Sequence, residues 1–166
     1  MNKLSASRIK VAQTCSWLYW AKYVLKLPDR SNDGAKRGTI CHLVFECLGN
    51  PRHKHHFKKI VKSKDVFASK AVRVLIEKNA RQLDVADEEN MDLIKDMTLA
   101  GLNYYFYGGS LGKPTEAISE KEFDIKVEKG KKRYVIKGFI DKLFLYKRKK
   151  TALIRDFKTS KQVFKG

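Results

Sequence analysis

The hydrophobic period changes once along this chain, near residue 115, and that change limits the fold more than any other feature. Before it, apolar residues recur three and four apart; after it, they alternate. Ile9, Ala12, Trp17, Trp20, Val24 and Leu27 keep near-helical spacing, and Ser5 is a natural N-cap in front of Ala6. The stretch to Leu27 predicts one broken helix or two short ones, with Trp17, Tyr19, Trp20 and Tyr23 packed in a core rather than stacked on nucleobases. Pro28 to Gly34 reads as a loop, and Ala35 to Leu48 as a helix stopped by Gly49-Asn50-Pro51. Arg52 to Lys64 reads as a basic, His-rich link. Val66–Leu83 and Asp84–Tyr107 read as helices, the second acidic in its first turns, as the helix dipole favours. Ile118–Val127, Tyr134–Tyr146 and Thr151–Thr159 then alternate as strands, joined by charged turns. The predicted fold class is α+β, a helical N-terminal half followed by a three-stranded antiparallel meander of a mixed sheet.

At 166 residues the chain fits a single domain with a sizeable core. Its formal net charge is +18. Residues 1–83 carry 18 basic and 5 acidic side chains, residues 84–125 carry 3 and 10, and residues 126–166 carry 15 and 3. An acidic middle between basic ends implies one face that meets phosphate and one that does not. A surplus of this size points to a polyanion, nucleic acid before an acidic membrane surface. No apolar run approaches the ~18–20 residues that cross a bilayer, and no apolar signal core opens the chain. Cys15, Cys41 and Cys47 make no disulfide framework, as suits a reducing cytoplasmic or nucleoid-associated setting. Cys41, Cys47, His53, His55 and His56 lack the paired spacing of structural zinc. No phosphate-cradling glycine loop and no nucleophile elbow occurs, so ATP hydrolysis and serine-hydrolase chemistry have no support.

The informative charges are those inside apolar strands. Asp141 lies in the second predicted strand, Asp156 and Lys158 in the third. Asp156 and Lys158 are two apart and share a sheet face. Asp141 and Lys158 can be an ordinary cross-strand ion pair on a solvated face. Yet Ile140, Leu143, Ile154 and Phe157 make the strands half buried, where unpaired charge is costly. Two carboxylates converging in a cleft are relieved by a divalent cation, and oxygen donors suit Mg²⁺ or Mn²⁺. A cation that acidifies water, with a lysine beside it, is equipped for phosphodiester hydrolysis. Upstream, His42 and Glu46 are four apart on one helical face, with imidazole a competent ligand and Glu46 placed to hold it. Gly38 in that helix costs about 1 kcal/mol relative to Ala, which implies a close backbone approach.

Gly38, His42 and Glu46, then Gly138 and Asp141, then Asp156 and Lys158, follow the order G-x-x-x-H-x-x-x-E, G-x-x-D, D-x-K. In this the chain resembles the RecB-like branch of the PD-(D/E)XK nuclease superfamily. Leu4 to Ile9, Cys15, Tyr19 and Tyr23 are similar to that branch's serine-capped opening helix, and a variable helical insertion occupies about residues 52–115. The resemblance implies a restriction-endonuclease-like core spanning 1–166. His42, Asp141, Asp156 and the Phe157 carbonyl would hold Mg²⁺ or Mn²⁺. Lys158, Asp156, Asp141 and Glu46 are the catalytic candidates. Glu120 or Glu122 would be a further acidic position. Two departures stand out. Gln162 has no Tyr four positions on, so the core reads as a fragment, as completed by a partner protein, or as shortened. The three later Cys of iron–sulfur members are absent, so no complete cluster is expected, and Cys15 is expected as a buried thiol.

The expected function is metal-dependent, exonuclease-type DNA cleavage with low sequence specificity, on single strands or DNA ends. Lys36, Arg37, Lys131, Lys132, Arg133, Lys147, Arg148, Lys149 and Lys150 are the expected backbone contacts. The alternative is a non-catalytic nucleic-acid-binding or structural subunit that keeps a nuclease-like core.

Overall fold

A computed structural model describes residues 2–28, 32–108, 111–130 and 132–159. The order is β1 (Asn2–Leu4), α1 (Ala6–Thr14), α2 (Ser16–Tyr19) running into a π-helical turn (Trp20–Val24), then α3 (Asp33–Gly49), α4 (Lys54–Ser63), α5 (Lys70–Gln82) and α6 (Glu88–Gly101), followed by β2 (Glu116–Lys129), β3 (Lys132–Tyr146) and β4 (Thr151–Arg155). The expected α+β arrangement, helices and then an antiparallel meander, is what the chain adopts. Two departures are clear. The link expected over 52–64 contains helix α4, and a strand not foreseen, β1, pairs parallel to β3 with Leu4 opposite Ile136. Beyond the β2–β3 hairpin, Lys142 to Tyr146 of β3 pair antiparallel with Arg155 to Thr151 of β4.

The chain forms two compact units, residues 1–30 with 121–140, and residues 31–120 with 141–166. In the first, Ser5 Oγ accepts from Arg8 N–H at 3.3 Å and starts α1. Gly138 is required by Phe123, because a Cβ there would sit 2.5 Å from that ring. The expected burial of aromatics in this unit does not occur for Trp17 and Trp20, which are 75% and 45% exposed. Their helices expose most of their surface, so near-helical spacing here marks no core face. Cys15 is likewise exposed rather than buried, and its Sγ accepts from Leu18 N–H at 3.4 Å as the cap of α2.

The second unit holds the main core. Ile40, Cys41, Val44 and Leu48 of α3 meet Ile60 of α4, Ile76 of α5 and Ile94 of α6, all buried. Thr98 Oγ1 donates to Cys41 Sγ at 3.5 Å, and burial pushes that thiol upward. Phe45 fills the space over Gly101, where a Cβ would overlap its ring. Lys142 is 1% exposed on the face it shares with Phe144 and Tyr146. Its ammonium donates to Gly49 O at 3.2 Å and to Ser119 Oγ at 2.8 Å, and burial lowers its pKa to about 8. A cation against the last carbonyls of α3 also suits the helix dipole.

Asp87 caps α6. Its Oδ1 accepts from Asn90 N–H at 3.0 Å and its Oδ2 from the Asn90 amide at 2.6 Å. These bonds hold the carboxyl below its ordinary value. With a depressed folded-state pKa, its stabilisation is present above the unfolded pKa and lost as pH falls through the folded one. Asp87→Asn should therefore lower the urea midpoint at neutral pH and converge with wild type as pH falls through the folded-state pKa.

Candidate metal centre

Helix α3 supplies the first donor. Asn32 Oδ1 accepts from Ala35 N–H at 2.8 Å, which starts the helix so that Gly38, His42 and Glu46 follow on successive turns of one face. The second donor, Asp141, comes from β3. The third, Glu120, comes from β2 at a left-handed backbone position (φ 50°), uncommon for a non-glycine residue and of the kind that gathers at functional sites. Ligand atoms of these three half-buried residues all lie within 4.8 Å of one another. His42 Nδ1 is 3.7 Å from Asp141 Oδ1, too far for a hydrogen bond. Two donors on one ion at ~2.1 Å are separated by ~3.0 Å when adjacent and ~4.2 Å when opposite, and the 3.7 Å between His42 and Asp141 falls between these limits.

The electrostatics agree. Burial first, then the carboxylates of Asp141 and Glu46, push the Glu120 carboxyl upward, partly offset by His42. Glu120 thus sits in a partly desolvated place beside two other carboxylates. The donor set, two carboxylates and one imidazole, fits a divalent cation. A cleft of about 670 Å³ opens onto it, lined by Gly34, Gly38, His42, Glu46, Glu120 and Thr159 among others.

The D-x-K segment lies beyond the sheet. β4 ends at Arg155, so Asp156 to Thr159 continue past the last paired residue, where the sequence predicts strand to Thr159. Phe157 fixes this segment. Its ring packs on Phe45 at 4.6 Å and on Phe106 at 5.9 Å between centroids, and its N–H donates to Asp141 Oδ2 at 2.6 Å. Asp156 and Lys158, on either side of it, pair with each other and are 56% and 62% exposed. Neither belongs to the three-donor group. Thr159 then lies against α3, its Oγ1 2.8 Å from where a Gly38 Cβ would stand. The mid-helix glycine was the sequence signal for this approach; Thr159 itself carried none.

The other predicted residues distribute as follows. Glu46 is exposed on the cleft wall. Glu120 joins the donor group, whereas Glu122 pairs with Lys137. Lys36 pairs with Asp33 at 3.3 Å and Arg37 with Asn90. Arg133 pairs with Glu128 at 3.5 Å and Lys147 with Glu116 at 3.8 Å, while Lys149 donates to Leu111 O at 3.1 Å. Arg148 and Lys150 are exposed. Lys131 and the Lys132 side chain lie outside the described residues. Lys142 was missed as a buried residue, although its register with Phe144 and Tyr146 signalled it.

The sequence model of the PD-(D/E)XK nuclease superfamily matches residues 3–165, nearly the whole chain. The chain belongs to the PD-(D/E)XK nuclease superfamily. No curated protein and no solved structure matches it. Membership gives the α+β architecture its restriction-endonuclease-like reading and implies nuclease activity and nucleic-acid binding in general. PD-(D/E)XK nucleases use divalent metals, which the His42, Glu120 and Asp141 donors suit. Among the described residues no helix is long and apolar enough to cross a membrane.

Gly38→Ala gives a direct test of the α3 contact. Helix propensity gains about 1 kcal/mol, and only a rotatable hydroxyl stands in the way. The urea-derived stability should stay within about 1 kcal/mol of wild type, whereas Gly38→Leu should lose about 1–3 kcal/mol by overpacking against Thr159.

Proposed function

We propose that this chain is a RecB-like, metal-dependent deoxyribonuclease of exonuclease type that hydrolyses DNA phosphodiesters with low sequence specificity. The observation that carries the reading is the convergence of His42, Glu120 and Asp141 beside the D-x-K segment. Mg²⁺ or Mn²⁺ suits the two carboxylates, and the imidazole favours Mn²⁺ of the pair. The G-x-x-x-H-x-x-x-E helix supports the RecB-like, exonuclease-type assignment. Residues 1–166 are read as one nuclease domain with a helical insertion at about 52–115.

A divalent cation held by these donors lowers the pKa of a water and neutralises charge on the scissile phosphate. The chain's own groups do the rest. The Phe157 N–H fixes Asp141 Oδ2, which leaves Oδ1 facing His42. By the family resemblance the Asp156 carboxylate and the Phe157 carbonyl would be further donors to such a cation, although Asp156 here stands outside the three-donor group and pairs with Lys158. Lys158, whose ammonium pairs with Asp156, orients the attacking water. Glu46 on the cleft wall repels the phosphate backbone from one side and so directs its approach. Basic groups such as Lys36, Arg37 and residues 147–150 contact backbone phosphates, which position without reading sequence.

The outward Asp156–Lys158 pair favours a second reading, a nucleic-acid-binding subunit that keeps a nuclease-like core without cleaving. Cleavage of end-labelled DNA separates the two. Wild type should cut with Mn²⁺ or Mg²⁺, and Asp141→Asn, His42→Ala and Lys158→Ala should each lower the rate at least about a hundredfold. Glu120→Gln should weaken Mn²⁺ binding, followed by the free-ion EPR signal, by more than the roughly 10–100-fold cost of losing an outer-shell partner. Wild type that binds DNA and never cuts it, with either metal, establishes the second reading.

A further inference from the structure

Helix α4 carries a charge pattern that neither the core nor the metal centre uses. Between Glu46 and Asp65 the sequence has no carboxylate, yet it holds Arg52, Lys54, Lys58, Lys59, Lys62 and Lys64, all exposed. Lys54, Lys58 and Lys62 are four apart in turn and form one ridge along α4, roughly 12 Å long at 1.5 Å per residue. Among the described residues no carboxylate pairs with Lys54, Lys58, Lys59 or Lys62, in contrast with Lys36, Arg133 and Lys147.

This arrangement works against the helix that bears it. Like charges four apart are destabilising. Cations in the first turn oppose the helix dipole, α4 has no acidic residue there, and His53 gives no side-chain cap. The helix persists because Ile60 is fully buried and Phe57 stacks on Phe106 at 5.2 Å. With its apolar side committed to the core, α4 has no broad apolar face to lay into a bilayer. A ridge of lysines is also the composition that protein interfaces avoid. The partner that suits it is a linear polyanion.

We propose that the exposed face of α4, formed by Lys54, Lys58, Lys59 and Lys62, is a track for the sugar–phosphate backbone of nucleic acid outside the His42–Glu120–Asp141 cleft. A duplex strand presents a phosphate every ~3.4 Å of axis, so the ridge spans several of them. The inference rests on the nuclease reading only for the identity of the polyanion; the track binds whether or not the centre cuts.

The test measures fluorescence anisotropy of a labelled DNA duplex with the full chain in EDTA, across a NaCl series. Lys58→Gln/Lys62→Gln is compared with Lys70→Gln/Lys78→Gln, which removes the same charge from exposed positions of α5. The α4 pair should lower the slope of log affinity against log salt by about 1.8, or 0.9 per lost contact, and Lys58→Arg/Lys62→Arg should restore it. The α5 pair should leave the slope near wild type, and melting by circular dichroism should show the α4 variant at least as stable as wild type. Equal loss from both pairs, no loss from the α4 pair, or an α4 effect confined to phosphatidylserine vesicles overturns the proposal. Cleavage with Mn²⁺ is scored separately: a wild type that cuts while the α4 variant binds normally sinks the track alone. A wild type that never cuts, beside an α4 variant that loses DNA, sinks the nuclease reading alone.

Discussion

The hydrogen bond from the Phe157 N–H to Asp141 Oδ2, 2.6 Å long, holds the functional end of this chain together. β4 pairs with β3 for only five residues and stops at Arg155. Among the described residues beyond that point no ladder bond orders the backbone, and a charged, solvent-facing segment has little reason to hold one path. The carboxylate of Asp141 replaces the missing ladder. It accepts from the backbone of the segment with one oxygen and faces His42 with the other. Hydrogen bonds to an ionised acceptor are among the stronger ones a protein makes. One side chain thus links the sheet, helix α3 and the D-x-K segment.

Phe157 makes the arrangement directional. Its ring enters the cluster of Phe45 and Phe106, and in extended backbone the residues before and after it project the opposite way. The apolar anchor and the exposed Asp156–Lys158 pair are therefore two consequences of one alternation. Gly38 completes the path by leaving room for Thr159 on α3. That is why a residue of poor helix propensity stands in the middle of the helix that carries His42 and Glu46.

The switch of hydrophobic period placed the helices before the strands, and the spacing of Gly38, His42, Glu46, Asp141, Asp156 and Lys158 pointed to the helix and strands around the centre. Other features were not legible for physical reasons. Helix α4 hid behind its lysines and histidines, because only Phe57 and Ile60 face the core and two apolar residues make a weak stripe. β1 is three residues long, too short for alternation to register. The end of β4 depends on pairing with β3, which no local pattern encodes. Trp17 and Trp20 misled because spacing shows that residues share a face but not what covers it. Glu120 could be told from Glu122 only by the left-handed kink in β2 and by the Lys137 partner that occupies Glu122.

Charge of one sign is concentrated in two places within the second unit, and each concentration is unfavourable in the isolated chain. At the centre, burial first and then the neighbouring carboxylates of Asp141 and Glu46 push the Glu120 carboxyl upward. On α4, lysines repel along a ridge without anionic partners among the described residues. A ligand of opposite sign would relieve each, a divalent cation in one case and, on the proposed track, a phosphate chain in the other. A ligand that binds only the folded form stabilises it by RT ln(1 + [L]/Kd).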